Sequence, residues 1–153
     1  MSSESLDQIR CVVGRYPRMH GYYLLNVVPL PLDWRDREEA ALTAAFQALD
    51  DQPWPPHESR PDDQCWTDYE VPESEARAHV VAALVGGREV GHTRDTIPMA
   101  DALPIWEAFR ALFSAGARFF VGVGLGDSKF TFQQGAVVVD EHKAGCLCVI
   151  ESD

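Results

Sequence analysis

The sequence predicts an α+β fold, with about four helices packed on one face of a mostly antiparallel sheet of about five strands. Three observations carry this reading. Helical periodicity dominates as far as residue 114, and from Phe119 the pattern changes to short β segments ending in a C-terminal meander. A length of 153 residues, 46% apolar and 24% charged, suits a single domain with one sizeable core.

Leu6, Ile9, Val13 and Tyr16 recur at helical spacing, Ser5 and Gln8 suggest a capping box, and Gly14 with Pro17 supplies a stop. Residues 21–28 are aromatic and branched, and Pro29 and Pro31 end them, which predicts a buried strand. A second helix is expected from Asp33 to about Leu49, with Ala41, Leu42, Ala45, Phe46 and Leu49 on one stripe. Pro72 is expected to open a third helix that carries Val80, Val81 and Leu84 inward and stops at Gly86-Gly87.

The fourth helix, from about Asp101 to Ser114, has Ile105, Trp106, Phe109, Leu112 and Phe113 on its apolar face, Pro104 in its first turn and Gly116 at its exit. Strands are then expected at 119–125, 129–133, 136–139 and 145–150. Between the second and third helices, residues 51–71 hold four prolines and, counting Asp50 with Asp51, two aspartate pairs without apolar periodicity, which predicts a long loop.

The charge of the chain is concentrated. Residues 33–75 contain 13 acids and three arginines, a net of -10, while the rest of the chain is nearly neutral against a total of -11. The same segment holds Trp54, Trp66 and Tyr69, residue types that recur at binding hot spots. Carboxylates around them would raise the encounter rate of a cationic protein. Acids at helix starts are discounted, since the macrodipole alone favours them there. The expected contact set is therefore Asp50, Asp51, Trp54, Glu58, Asp62, Asp63, Trp66, Asp68, Tyr69 and Glu70. The competing reading has Trp54 and Trp66 folded back onto the core as anchors for the loop.

Other chemistries find less support. Acidity on this scale disfavours nucleic acid and anionic membranes as partners. Gly122, Gly124 and Gly126 precede Asp127-Ser128-Lys129, which matches neither a phosphate loop nor a dinucleotide fingerprint. Glycines at alternate positions of a strand instead predict a helix or aromatic ring close against the bared face. Gly126-Asp127-Ser128 is similar to the Gly-Asp-Ser block of the GDSL hydrolases, but that block belongs near the N-terminus of the family and needs a following Asp-x-x-His. Asp140-Glu141-His142 has the wrong spacing for that role.

His20, His57, His79, His92 and His142 lack metal-ligand spacing, and Cys11, Cys65, Cys146 and Cys148 include no Cys-x-x-Cys, so neither cofactor nor metal is expected. The start of the chain lacks a basic region followed by an apolar run, and together with the sparse cysteines this predicts reduced thiols in the cytoplasm.

The resulting expectation is a non-catalytic acidic protein that neutralises a basic partner. An immunity protein or inhibitor of a bacterial toxin, such as a nuclease, has this profile. Abundant Arg and Ala with two lysines suit a bacterial source. The alternatives are a small enzyme using His92, Arg94 and Asp95 or Ser128, and an adaptor or oligomerisation domain.

Overall fold

Strand β1 (Gly21–Pro29) pairs antiparallel with β5 (Lys143–Glu151), and β5 pairs antiparallel with β4 (Phe132–Val139). In this computed structural model, which describes residues 3–18, 21–50, 65–86, 97–125 and 132–151, two shorter strands complete the sheet. They are β3 (Arg118–Phe120) and β2 (Glu70–Val71), giving the order β1-β5-β4-β3-β2, antiparallel throughout. Four helices accompany it, α1 (Ser3–Val13), α2 (Glu38–Leu49), α3 (Glu73–Val85) and α4 (Met99–Arg110). The α+β architecture and the C-terminal strands are as the sequence predicts.

The helices do not share one face. Residue alternation along β5 sends Ala144, Cys146, Cys148 and Ile150 toward α2, and Leu147 and Val149 toward α1, α3 and α4. Val137 and Val139 of β4 likewise join the α2 layer, while Ala136 and Val138 join the other. Expecting a single covered face overlooked the unbroken apolar runs in these two strands, a pattern that belongs to strands buried on both sides. Trp34, Phe46, Trp66 and Phe120 fill the α2 layer, and Trp106, Phe109 and Phe119 fill the other.

Several local expectations change. Ser5 lies inside α1, which begins at Ser3, so it does not cap that helix. The segment expected to begin a helix at Asp33 first forms a 3-10 turn, Trp34–Arg37, and only then α2. Trp34 is fully buried and donates its indole N–H to Glu141 O at 3.1 Å, so satisfying this ring sets the geometry of the entry. Pro72 precedes α3 in extended conformation, and its carbonyl accepts from Glu75 and Ala76. Gly86 ends α3 in the left-handed region at φ 87°. Pro98 takes the start of α4, which leaves Pro104 in the helix interior, and Ala111 rather than Gly116 follows the last turn.

The glycine segment is not a strand. Gly122 and Gly124 adopt φ of 75° and 81°, ending β3 in a conformation that side chains disfavour. The Tyr69 ring does lie 3.7 Å from where a Gly122 side chain would begin, but nothing comes within 4 Å at Gly124. Backbone conformation, not a bared face, therefore explains the spacing. The two strands expected around residues 129–139 are one, β4, for which Gly135 is needed because a Cβ there would lie 2.2 Å from Leu147 O.

Candidate protein-binding surface

Among the described residues, acids from two parts of the acidic stretch meet at the β2 edge of the sheet. Glu70 belongs to β2, Pro72 leads from it directly into α3 with Glu73 and Glu75, and the first turn of α2 carries Glu38 and Glu39. Arg118 of β3 ties two of these elements together. Its Nε and Nη2 donate to the two oxygens of Glu70 at 3.1 and 2.9 Å, while Nη1 bonds the Glu38 carboxylate. The hydrogen bonds to Glu70 are the main reason that the guanidinium holds its proton even more firmly than usual, with those to Glu38 adding to it and partial burial opposing.

Glu39 anchors the return of the chain from its acidic loop. Its carboxylate oxygens accept from the Trp66 backbone N–H at 3.2 and 3.0 Å, and the Trp66 indole donates to Thr43 Oγ1 at 2.8 Å. Glu39 and Thr43 stand one turn apart on α2, which is the spacing that lets two side chains grip one neighbour. The Trp66 ring sits edge-on to Phe46 at 4.7 Å and is 0% exposed. Trp66 thus has no face for a partner. Its expected surface role is replaced by that of a loop anchor, because the indole finds both an apolar slot and a hydroxyl acceptor on α2.

Asp50 also departs from its expected role. It is 9% exposed at the end of α2, where its backbone N–H donates to Phe46 O. Asp68 is exposed and accepts from Cys65 N at 3.0 Å, closing the turn that presents Trp66. Tyr69 is half-buried with its ring 5.5 Å from that of Trp66, and Glu70 is held by Arg118. The expected contacts Asp51, Trp54, Glu58, Asp62 and Asp63 lie outside the described residues, as do His92, Arg94, Asp95 and Ser128 of the enzyme alternative.

Internal pairing reduces the acidity available to a partner. Glu38 and Glu70 share Arg118, Asp33 meets Arg37 at 3.5 Å, and Glu73 lies 3.3 Å from Arg110. That last contact is Coulombic, for Arg110 Nε makes no hydrogen bond. Asp36, Asp68 and Glu75 are exposed and form no ion pair among the described residues.

Sequence reasoning missed Arg118, Glu39 and Thr43. The acids of α2 look like ordinary helix-start residues in the sequence, yet Glu38 and Glu39 hold Arg118 and Trp66. Arg118 carries no local signal, since its partners lie far away along the chain. Among the described residues no cluster of three or more His, Cys, Asp or Glu could hold a metal, and no helix is long and apolar enough to cross a membrane.

Two grooves open among the helices, one of about 430 Å³ between α1 and α4 and one of about 500 Å³ between α3 and α4. The second has Trp106 and Phe113 beneath a rim of Glu73, Arg77, Glu107 and Arg110. Its charges are mixed, so it does not extend the acidic surface. Comparison with protein-family models, curated proteins and solved structures gave no match.

Proposed function

We propose that this chain is a non-catalytic binding protein whose acidic segment neutralises a basic protein partner, in the manner of an immunity protein or inhibitor of a bacterial toxin such as a nuclease. The observation that carries the proposal is the confinement of a net -10 to residues 33–75. Solubility requires charge somewhere, but not its concentration in one stretch. The linkage of Glu38 and Glu70 through Arg118 at the β2 edge supports a single contact surface.

Asp36, Asp68 and Glu75, exposed and without an ion pair among the described residues, provide its described carboxylates. Asp51, Trp54, Glu58, Asp62 and Asp63 supply the rest, and Tyr69 and Glu70 border it. Trp66 and Asp50 act as supports. In this reading the charges set the encounter rate and its salt dependence, while buried contacts set the lifetime of the complex.

Affinity capture of the tagged protein from its own cells, at low and high salt and with mass spectrometry of the eluate, tests the proposal. One stoichiometric basic protein, released by salt, is the expected outcome. Replacing Asp62, Asp63 and Asp68 by Asn should then weaken that complex and flatten its salt dependence while the melting temperature hardly moves. Unchanged affinity in the triple variant would overturn the role of the acidic segment.

A further inference from the structure

Among the described strands, β1 is the outer one at one side of the sheet. The Leu30 N–H donates to His142 O at 2.8 Å, which fixes the parity of the ladder. Even-numbered residues of β1 turn their backbone groups toward β5, and odd-numbered ones turn them away. Leu25 is the central residue of the strand, and its carbonyl therefore faces outward. Arg10 occupies it. From α1, Nη2 reaches Leu25 O at 2.8 Å and Asn26 Oδ1 at 3.2 Å, while Nη1 is held by Asp7 at 3.2 Å.

Three features of this edge suit strand pairing. Residues 21–29 contain no charged side chain, in a chain whose net charge is -11. No described residue accepts a hydrogen bond from the backbone N–H of Leu25 or of Val27. Pro29 stands at an outward position, where its missing N–H takes a donor from the outward edge and costs the β1–β5 ladder nothing.

We propose that β1 is a self-pairing edge that Arg10 holds shut against a second copy of the chain. Two copies meeting antiparallel about a two-fold axis overlap over the whole strand only when the axis passes by Leu25. The uncharged strand itself offers no electrostatic obstacle to that register. Arg10 does, because a charge beside a two-fold axis meets its own image, and each guanidinium must also release Leu25 O before the strands can join. One residue at the centre of the strand thus opposes the fully overlapped pairing twice over.

The test is the solution mass of three proteins by light scattering over one concentration range. The unaltered chain should run at its monomer mass of 17.0 kDa. Arg10→Met keeps the packing of the stem but removes the charge and the donors, and should shift the mass toward twice that value. Adding Val27→Pro removes an outward N–H without touching the β1–β5 ladder and should return the mass to that of the monomer. Arg10→Ala serves in the same way if the Met variant does not fold. A natively folded Arg10 variant that stays monomeric would overturn the proposal. So would association that Val27→Pro fails to reverse, or an unaltered chain that already pairs and is dissociated by Val27→Pro.

Discussion

Arg118 and Glu70 meet across the β2–β3 pair in a bidentate clamp, with Nε and Nη2 at 3.1 and 2.9 Å from opposite oxygens of one carboxylate. Because Arg118 also holds Glu38, a single side chain joins the edge of the sheet to the first turn of α2. The Arg118→Met variant should lose about 1 kcal/mol, since a partly exposed ion-pair network stabilises only weakly in screened solvent. Denaturant melts at low and high salt provide the check, and the difference from the unaltered chain should narrow as salt rises.

Replacing Trp66 by Ala removes an indole packed against Phe46 and leaves the Thr43 hydroxyl without its donor. A loss of about 3–5 kcal/mol is expected from the cavity. Trp66→Phe fills most of the space and should cost less, chiefly the hydrogen bond. Chemical denaturation of the two variants side by side separates packing from polar loss. Equal costs would contradict the assigned role of the indole N–H.

Asp140, 2% exposed, closes the turn between β4 and β5 by accepting from the backbone N–H groups of Ser114, His142 and Lys143 and from Lys143 Nζ. Burial alone would raise its pKa, but these donors outweigh burial and hold the carboxyl below its usual value of 3.8. A depressed folded-state value means that Asp140 contributes fully above the unfolded-state value and ceases to contribute as pH falls through the folded-state one. Stability should therefore decline below about pH 4. In Asp140→Asn that part of the decline should vanish and stability at neutral pH should drop by about 1–3 kcal/mol, as read from denaturant midpoints across pH.

The four cysteines should divide by reactivity. Cys11 and Cys65 are exposed, whereas Cys146 and Cys148 are buried neighbours on one face of β5. A hydrogen bond with Cys148, followed by burial, pushes the Cys146 thiol well above its ordinary pKa. A neutral-pH thiol reagent should thus modify two groups in the folded protein and four in denaturant. Rapid labelling of all four under native conditions would show that the α2 layer opens easily.

Legibility from the sequence followed the range of the interaction involved. The apolar stripe of α2, Ala41 to Leu49, and the Gly86 stop of α3 were readable because spacing and backbone conformation are local properties. The placement of α2 opposite the other helices has no local signal in α2 itself, although the unbroken apolar runs of β4 and β5 call for cover on both faces. Pro104 suggests a first turn in the sequence because no capping side chain marks the true start at Pro98. In the candidate surface, composition drew attention to residues 33–75, but composition could not distinguish a tryptophan aimed at a partner from one bound by Glu39 and Thr43. That distinction depends on contacts between distant parts of the chain, and Arg118 escaped notice for the same reason.

β5 lies between β1 and β4, and every residue from Ala144 to Ile150 is buried. β1 therefore finds this neighbour only after residues 30–142 have been made. Until then β1 lacks its partner strand, and its apolar residues must wait while that intervening stretch is made. Such long-range closure favours slow folding and prolonged exposure to chaperones. The nascent chain, more than the finished molecule, is where this topology is most vulnerable to association with its own kind.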